Sequence, residues 1–157
     1  MGSVMRTILL SFEPNWFDKL EKGEKKFEYR KNFPEGVTKA YFYVSNPVKA
    51  ITGIAIFGER EKLEDWKEKY KDRPLDVKQK IDKLLINNKY AVPMLSFQPT
   101  NKIPLAKLRQ DIPNFIVPRM YYYIDDSDLM DYLDNNLIHI GELRNNNFSV
   151  ILDEDIY

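Results

Sequence analysis

The stretch from Thr7 to Lys31 limits the fold more than any other. Residues 7–12 read Thr-Ile-Leu-Leu-Ser-Phe, an apolar run of the length of a buried strand. Pro14 follows, where the first helical turn tolerates it because the missing N–H has no intrahelical partner to lose. That helix is expected to run to about Lys22, and Gly23 stops it at a position that accepts a left-handed backbone. Residues 25–31 then alternate, with Phe27 and Tyr29 on one face and Lys26, Glu28 and Arg30 on the other. Strand, short helix and half-charged strand in direct succession call for an α+β architecture built from short elements.

The remainder keeps that grain. Pro34-Glu35-Gly36 supplies a turn, residues 39–45 a strand, Ser45-Asn46-Pro47 a second turn and residues 48–57 a further strand. Three strands in succession predict an antiparallel sheet. Residues 59–71 and 75–86 carry apolar side chains at three- and four-residue steps and read as two amphipathic helices broken at Pro74. Residues 90–97 return to strand, 102–105 pair at an edge, 105–110 make a turn or short helix, and 121–124 a strand. A helix over 127–135 takes Ser127 or Asp126 as its cap, and residues 137–157 are expected to form a hairpin around Asn145-Asn146-Asn147. At 157 residues and 43% hydrophobic content, the chain makes a single folded domain over 1–157, divided into a core at 7–124 and an acidic extension at 125–157.

Composition removes whole classes of chemistry. Without cysteine there is no disulfide scaffold, thiolate metal site or cysteine nucleophile, and a single histidine, His139, leaves no histidine-rich metal cluster. No metal and no cofactor is therefore expected. No run approaches the roughly 20 apolar residues that span a bilayer, nor does a signal peptide's pattern open the chain, so a cytoplasmic protein without membrane contact is expected. Met1-Gly2-Ser3 resembles a myristoylation start, but Arg6 stands where Ser or Thr is wanted.

Charge is divided along the chain. Residues 1–119 hold 23 Lys and Arg against 15 Asp and Glu, whereas residues 120–157 hold Arg144 alone against 9 acids, and the net charge is zero. A basic body attracts a polyanion, and an acidic end limits that attraction or folds over it; plain solubility is the alternative. Between Lys19 and Lys49 the basic residues are interleaved with Phe27, Tyr29, Tyr41, Phe42 and Tyr43, which are either stacking faces for bases or core.

Lys25, Glu28 and Arg30 are the candidate chemistry. Glu28 and Arg30 share a strand face and Lys25 opens the segment, so ammonium, carboxylate and guanidinium can point into one hollow. Arg30 can grip a phosphate by two hydrogen bonds, Lys25 adds a point charge, and Glu28 can accept a base amino or ribose hydroxyl proton. A Glu28–Arg30 ion pair across the sheet is the purely structural alternative. Ser11, Ser45 and Asn46 can offer polar edges to the same hollow, and Trp16 a stacking face. Lys107, Arg109 and Arg119 extend a basic track or are solvated surface charges.

Ile8-Leu9-Leu10-Ser11-Phe12-Glu13-Pro14, followed by Gly23-Glu24-Lys25-Lys26-Phe27-Glu28-Tyr29-Arg30-Lys31, resembles the ASCH family of the PUA-like superfamily. The pattern there is a strand, a Ser-x-x-Pro helix entry and a GxKxxExR strand. Tyr41 to Val48 and Pro118-Arg119-Met120-Tyr121 are similar to later family segments. The resemblance implies a mixed or antiparallel PUA-like pseudobarrel flanked by short helices, with a cleft beside the GxKxxExR strand that binds RNA or a nucleotide, in a regulatory role. A related branch hydrolyses N-acetylated cytidine with a lysine, a threonine and a glutamate. Lys25 falls on that lysine, but Glu28 stands where the threonine is expected, and Glu68 and Asp72 compete for the glutamate.

Three functions stay open at this point. The first is RNA or nucleotide binding by Lys25, Glu28, Arg30, Ser11, Trp16, Ser45 and Asn46. The second is hydrolysis of a modified nucleoside or of RNA, with Lys25 and Glu28 as the catalytic pair. The third is a protein-interaction module whose acidic extension engages a partner.

Overall fold

The structure is a computed structural model that describes residues 5–157; the Met1-Gly2-Ser3 reading lies outside them. Strand β1 (Arg6–Phe12) leads into helix α1 (Pro14–Glu21), which has proline in its first turn. Gly23 ends α1 with φ of 75°, a conformation that side chains with a Cβ rarely adopt. Space is short there as well, because the Arg144 guanidinium lies 3.3 Å from where a Cβ would stand. Arg144 donates to the carbonyls of Leu20 and Glu21 at 2.7 and 2.8 Å, a cation at the negative end of the helix. The single basic residue of the acidic extension thus fixes α1.

Strands β2 (Phe27–Arg30), β3 (Thr38–Val44), β4 (Ala50–Phe57), β5 (Glu61–Lys62), β6 (Tyr90–Gln98), β7 (Ile103–Pro104), β8 (Tyr121–Tyr123) and β9 (Arg144–Asn145) join β1 in one mixed sheet. Its main path runs β2-β6-β4-β3-β1-β8. Helices α2 (Leu63–Lys69), α3 (Leu75–Asn87), α4 (Leu105–Asp111) and α5 (Asp128–Asn136) complete an α+β half-barrel. Among the described residues, no helix is long and apolar enough to cross a membrane.

The expected run of three antiparallel neighbours does not form. β3 and β4 pair antiparallel, but β2 crosses to β6, and β1 lies beside β3 in parallel with Leu9 opposite Tyr41. Burial accounts for the exchange. A parallel strand needs both faces covered, and Ile8, Leu9 and Leu10 are all fully buried, whereas β2, at the end of the sheet, has its two charged side chains, Glu28 and Arg30, paired with each other on one face. The hairpin expected over 137–157 is also absent: β9 pairs with β6, and Asn146 bonds through its N–H and side-chain amide to the carbonyls of Leu95 and Met94.

Alternation sorts the side chains into two cores. Ile8, Leu10, Phe42 and Val44 face Phe17 and Leu20 of α1 inside the curl, while Leu9, Tyr41 and Tyr43 meet Leu129 and Leu133 of α5 outside it. A third cluster joins Phe27 of β2 to Trp66 of α2, Tyr70 just after it, Ile81 of α3 and Ile156. Ser127 caps α5, its Oγ accepting the Met130 N–H at 3.1 Å. Ser127→Ala is expected to cost about 1 kcal/mol, read from the urea midpoint. An unchanged midpoint would mean that the buried leucines alone hold α5.

Candidate functional site

Where β1 ends and α1 begins, the half-barrel is open, and a single guanidinium spans the opening. Arg30 Nη2, from β2, donates to the Ser11 carbonyl of β1 at 2.7 Å. The same guanidinium grips Glu28 through Nε and Nη2, both to Oε2, at 3.1 and 2.8 Å. Glu28 Oε1 accepts the Tyr29 N–H at 3.0 Å. The Glu28 carboxylate is 10% exposed and the guanidinium side chain 18%, so this pair is mostly out of water. An ion pair between Glu28 and Arg30 does form, but within one strand rather than across the sheet, and as part of a cavity wall.

That cavity measures about 290 Å³ and is lined by Ser11, Phe12, Glu13, Trp16, Glu28, Tyr29, Arg30 and Arg119. The start of α1 places Trp16 at its rim with 38% of the residue exposed. Glu13, the residue before α1, makes no side-chain capping bond and is exposed. Arg119 is exposed too, and is brought to the rim because the Met120 carbonyl accepts the Ser11 N–H at 2.9 Å. Indole, carboxylate and guanidinium, the last two without an ion-pair partner among the described residues, thus surround a floor where Glu28 and Arg30 are paired with each other.

Lys25 lies behind this wall rather than on it. Its side chain is 3% exposed, and Glu28 Oε1 stands 3.8 Å from Nζ, beyond hydrogen-bonding distance. The ammonium is instead surrounded by rings: Trp16 at 4.7 Å, Tyr29 at 5.1 Å and Tyr157 at 5.7 Å from Nζ to the centroid. Burial pulls the Lys25 pKa below the usual lysine value; Glu28 opposes the shift and Arg30 adds to it. Burial likewise pushes the Tyr29 phenol far up, so it stays protonated.

Of the residues proposed from sequence, Ser11, Trp16, Glu28 and Arg30 meet around the cavity, with Lys25 one layer beneath. Ser45 and Asn46 do not line it. Their turn contains a cis Asn46-Pro47 bond and is tied to β1 by the Ser45 N–H, which donates to the Phe12 carbonyl at 3.0 Å. Glu13, Tyr29, Arg119 and Tyr157 belong to the surroundings as well. Arg119 carries a sequence signal, its place in the Pro118-Arg119-Met120-Tyr121 segment. Tyr157 has none, since it reaches Tyr29 across 128 positions of chain. Among the described residues, no three His, Asp or Glu side chains are grouped to hold a metal ion.

This arrangement of curled mixed sheet and short helices is the fold seen in solved ASCH structures. The structure superimposes on a crystal structure of ASCH from Zymomonas mobilis with a TM-score of 0.65 at 18% identity, covering 87% of this chain and 99% of that one. A tyrosine-to-phenylalanine mutant of that bacterial protein gives 0.61 at 17% identity, with 82% and 97% covered. Its serine-to-alanine mutant gives 0.60 at 18%, with 83% and 96% covered. No family model matches the sequence, and no curated protein is significantly similar to it.

Proposed function

We propose that this protein binds single-stranded RNA or a nucleotide, with a base on Trp16 and a phosphate at Arg119. The observation that carries this reading is the cavity wall, where an exposed indole and the exposed Arg119 guanidinium, which has no ion-pair partner among the described residues, flank a hollow whose Glu28 and Arg30 are paired with each other. Glu13 and the remaining acceptor capacity of Glu28 Oε1 supply sites for a base amino group or a ribose hydroxyl. A stacked base contributes ~1 to 3 kcal/mol, and phosphate contacts make the affinity fall with salt through counterion release.

The test is fluorescence anisotropy of a labelled single-stranded oligoribonucleotide across a salt series. Arg119→Ala is expected to weaken binding roughly tenfold and to flatten the log–log salt slope by ~0.7, one phosphate's share on a single strand. Affinity indifferent to both salt and Arg119 would refute the reading.

Hydrolysis of a modified nucleoside is a second reading, supported by the buried Lys25 ammonium beside the Glu28 carboxylate. Incubation with N-acetylated cytidine decides it. Release of acetate that vanishes in Lys25→Ala supports the reading, and no release at high protein concentration removes it.

A further inference from the structure

The proposed ligand needs a face of Trp16, and a ring of the chain itself, outside the lining of the cavity, already packs on that indole. Tyr157 stacks on the indole with centroids 6.1 Å apart and planes inclined by 30°. Its N–H donates to Tyr29 Oη at 3.2 Å, and its hydroxyl donates to the Glu24 carbonyl. The preceding residues are firmly anchored. Ile156 is fully buried in the third core cluster, Asp155 stands 3.4 Å from Lys26 Nζ, and Asp153 stands 2.6 Å from Arg73 Nη1. Asp153 and Asp155 thus meet basic side chains of the body, and the residue that follows them brings an aromatic ring to Trp16.

Beneath the stacked pair lies Lys25, a nearly buried ammonium with three donors whose carboxylate partner, Glu28 Oε1, stands 3.8 Å away as a loose ion pair. Rings surround it where oxygen atoms are wanted, and cation–π attraction replaces hydrogen bonds only in part. A second hollow of about 370 Å³, lined by Lys19, Glu24, Glu154 and Tyr157, borders the tyrosine.

We propose that Tyr157 holds the place of a nucleobase on Trp16, so that residues 153–157 seal Lys25 until a ligand base displaces the tyrosine and brings an oxygen acceptor to the ammonium. The displacement half of this proposal rests on the nucleotide-binding reading; the seal does not. Tyr157 is then a competitor of the ligand, and the measured affinity is lowered by the fraction of molecules in which the ring is in place.

Two measurements separate the halves. The first is reductive methylation with formaldehyde and cyanoborohydride, followed by peptide mass spectrometry, with exposed Lys31 as the internal reference. Tyr157→Ala is expected to speed Lys25 modification about tenfold relative to Lys31, as removal of a local closure should. Tyr157→Leu, which keeps apolar bulk without a stacking face, gives the same result where the alanine variant fails to fold. An unchanged Lys25 rate in a folded variant overturns the seal. The second is the anisotropy titration, in which the same variants bind the oligoribonucleotide several-fold tighter than the unmodified chain. Weaker binding would make Tyr157 part of the ligand's platform and overturn the competition. If neither protein binds, the nucleotide reading and the displacement fall together, and the methylation rates still decide the seal.

Discussion

Arg30→Ala is expected to lower the stability of the fold by about 3 to 5 kcal/mol, the cost of breaking a buried ion pair by removing one partner. Glu28 then keeps only the Tyr29 N–H within hydrogen-bonding distance, with Lys25 at 3.8 Å, and its carboxylate is 10% exposed. The Ser11 carbonyl loses its donor at the same time, and with it goes the bond that spans the half-barrel between β2 and β1. Urea denaturation followed by tryptophan fluorescence measures the loss. The double variant Arg30→Ala/Glu28→Gln is expected to recover part of it, because the orphaned charge is gone. A loss below about 1 kcal/mol in the single variant would place the pair among exposed ion pairs, contrary to its burial. Arg30 would then be free for ligand alone, and the cavity wall would have to be held by β2–β6 pairing without it.

Local chemistry is the part of this molecule that reads directly from sequence. The apolar run, Pro14 and Gly23 define β1 and α1 because each signal acts within a few residues, and the alternation after Gly23 puts Glu28 and Arg30 on one face. Partners are another matter. Alternation tells which face a side chain takes, not which strand lies alongside, so the parallel β1–β3 pair and the crossing of β2 to β6 are invisible until burial of whole strands is compared. Lys25 shows the limit at the site itself. It precedes β2, where strand alternation does not apply, and the backbone carries its ammonium under Trp16 and Tyr29 instead of into the hollow. Asn145-Asn146-Asn147 looks like a hairpin turn, but Asn146 spends its donors on the β6 carbonyls of Met94 and Leu95. The approach of Tyr157 to Trp16 is set by the burial of Ile156 among the α2 and α3 side chains, a contact no local pattern announces.

Lys25→Met is expected to make the protein more stable at neutral pH and a poorer binder. The ammonium is buried, its carboxylate partner Glu28 stands 3.8 Å away, and its pKa is held below the usual 10.5 chiefly by that burial. Methionine has nearly the same length, removes the desolvation penalty, and offers its sulfur to the Trp16 and Tyr29 rings. Glu28 is not orphaned by the change, since both of its Arg30 bonds remain. Replacing buried charge by apolar bulk of similar volume commonly gains about 1 to 4 kcal/mol, and one ion of a still-paired cluster belongs near the lower end. The pH dependence supplies the sign. Between the lowered folded value and 10.5 the unfolded chain binds more protons at this position than the folded one, so the unmodified protein gains stability as pH rises through that window. Lys25→Met lacks that gain. Its advantage is therefore largest near pH 7 and shrinks toward pH 10.5, which paired urea titrations at the two pH values measure directly. A variant less stable than the parent at pH 7 would show that attraction to Glu28 and the rings outweighs burial. A more stable variant with weakened oligoribonucleotide binding would identify the ammonium as a group whose place in the fold is maintained by the ligand it meets, since packing and charge alone favour its removal.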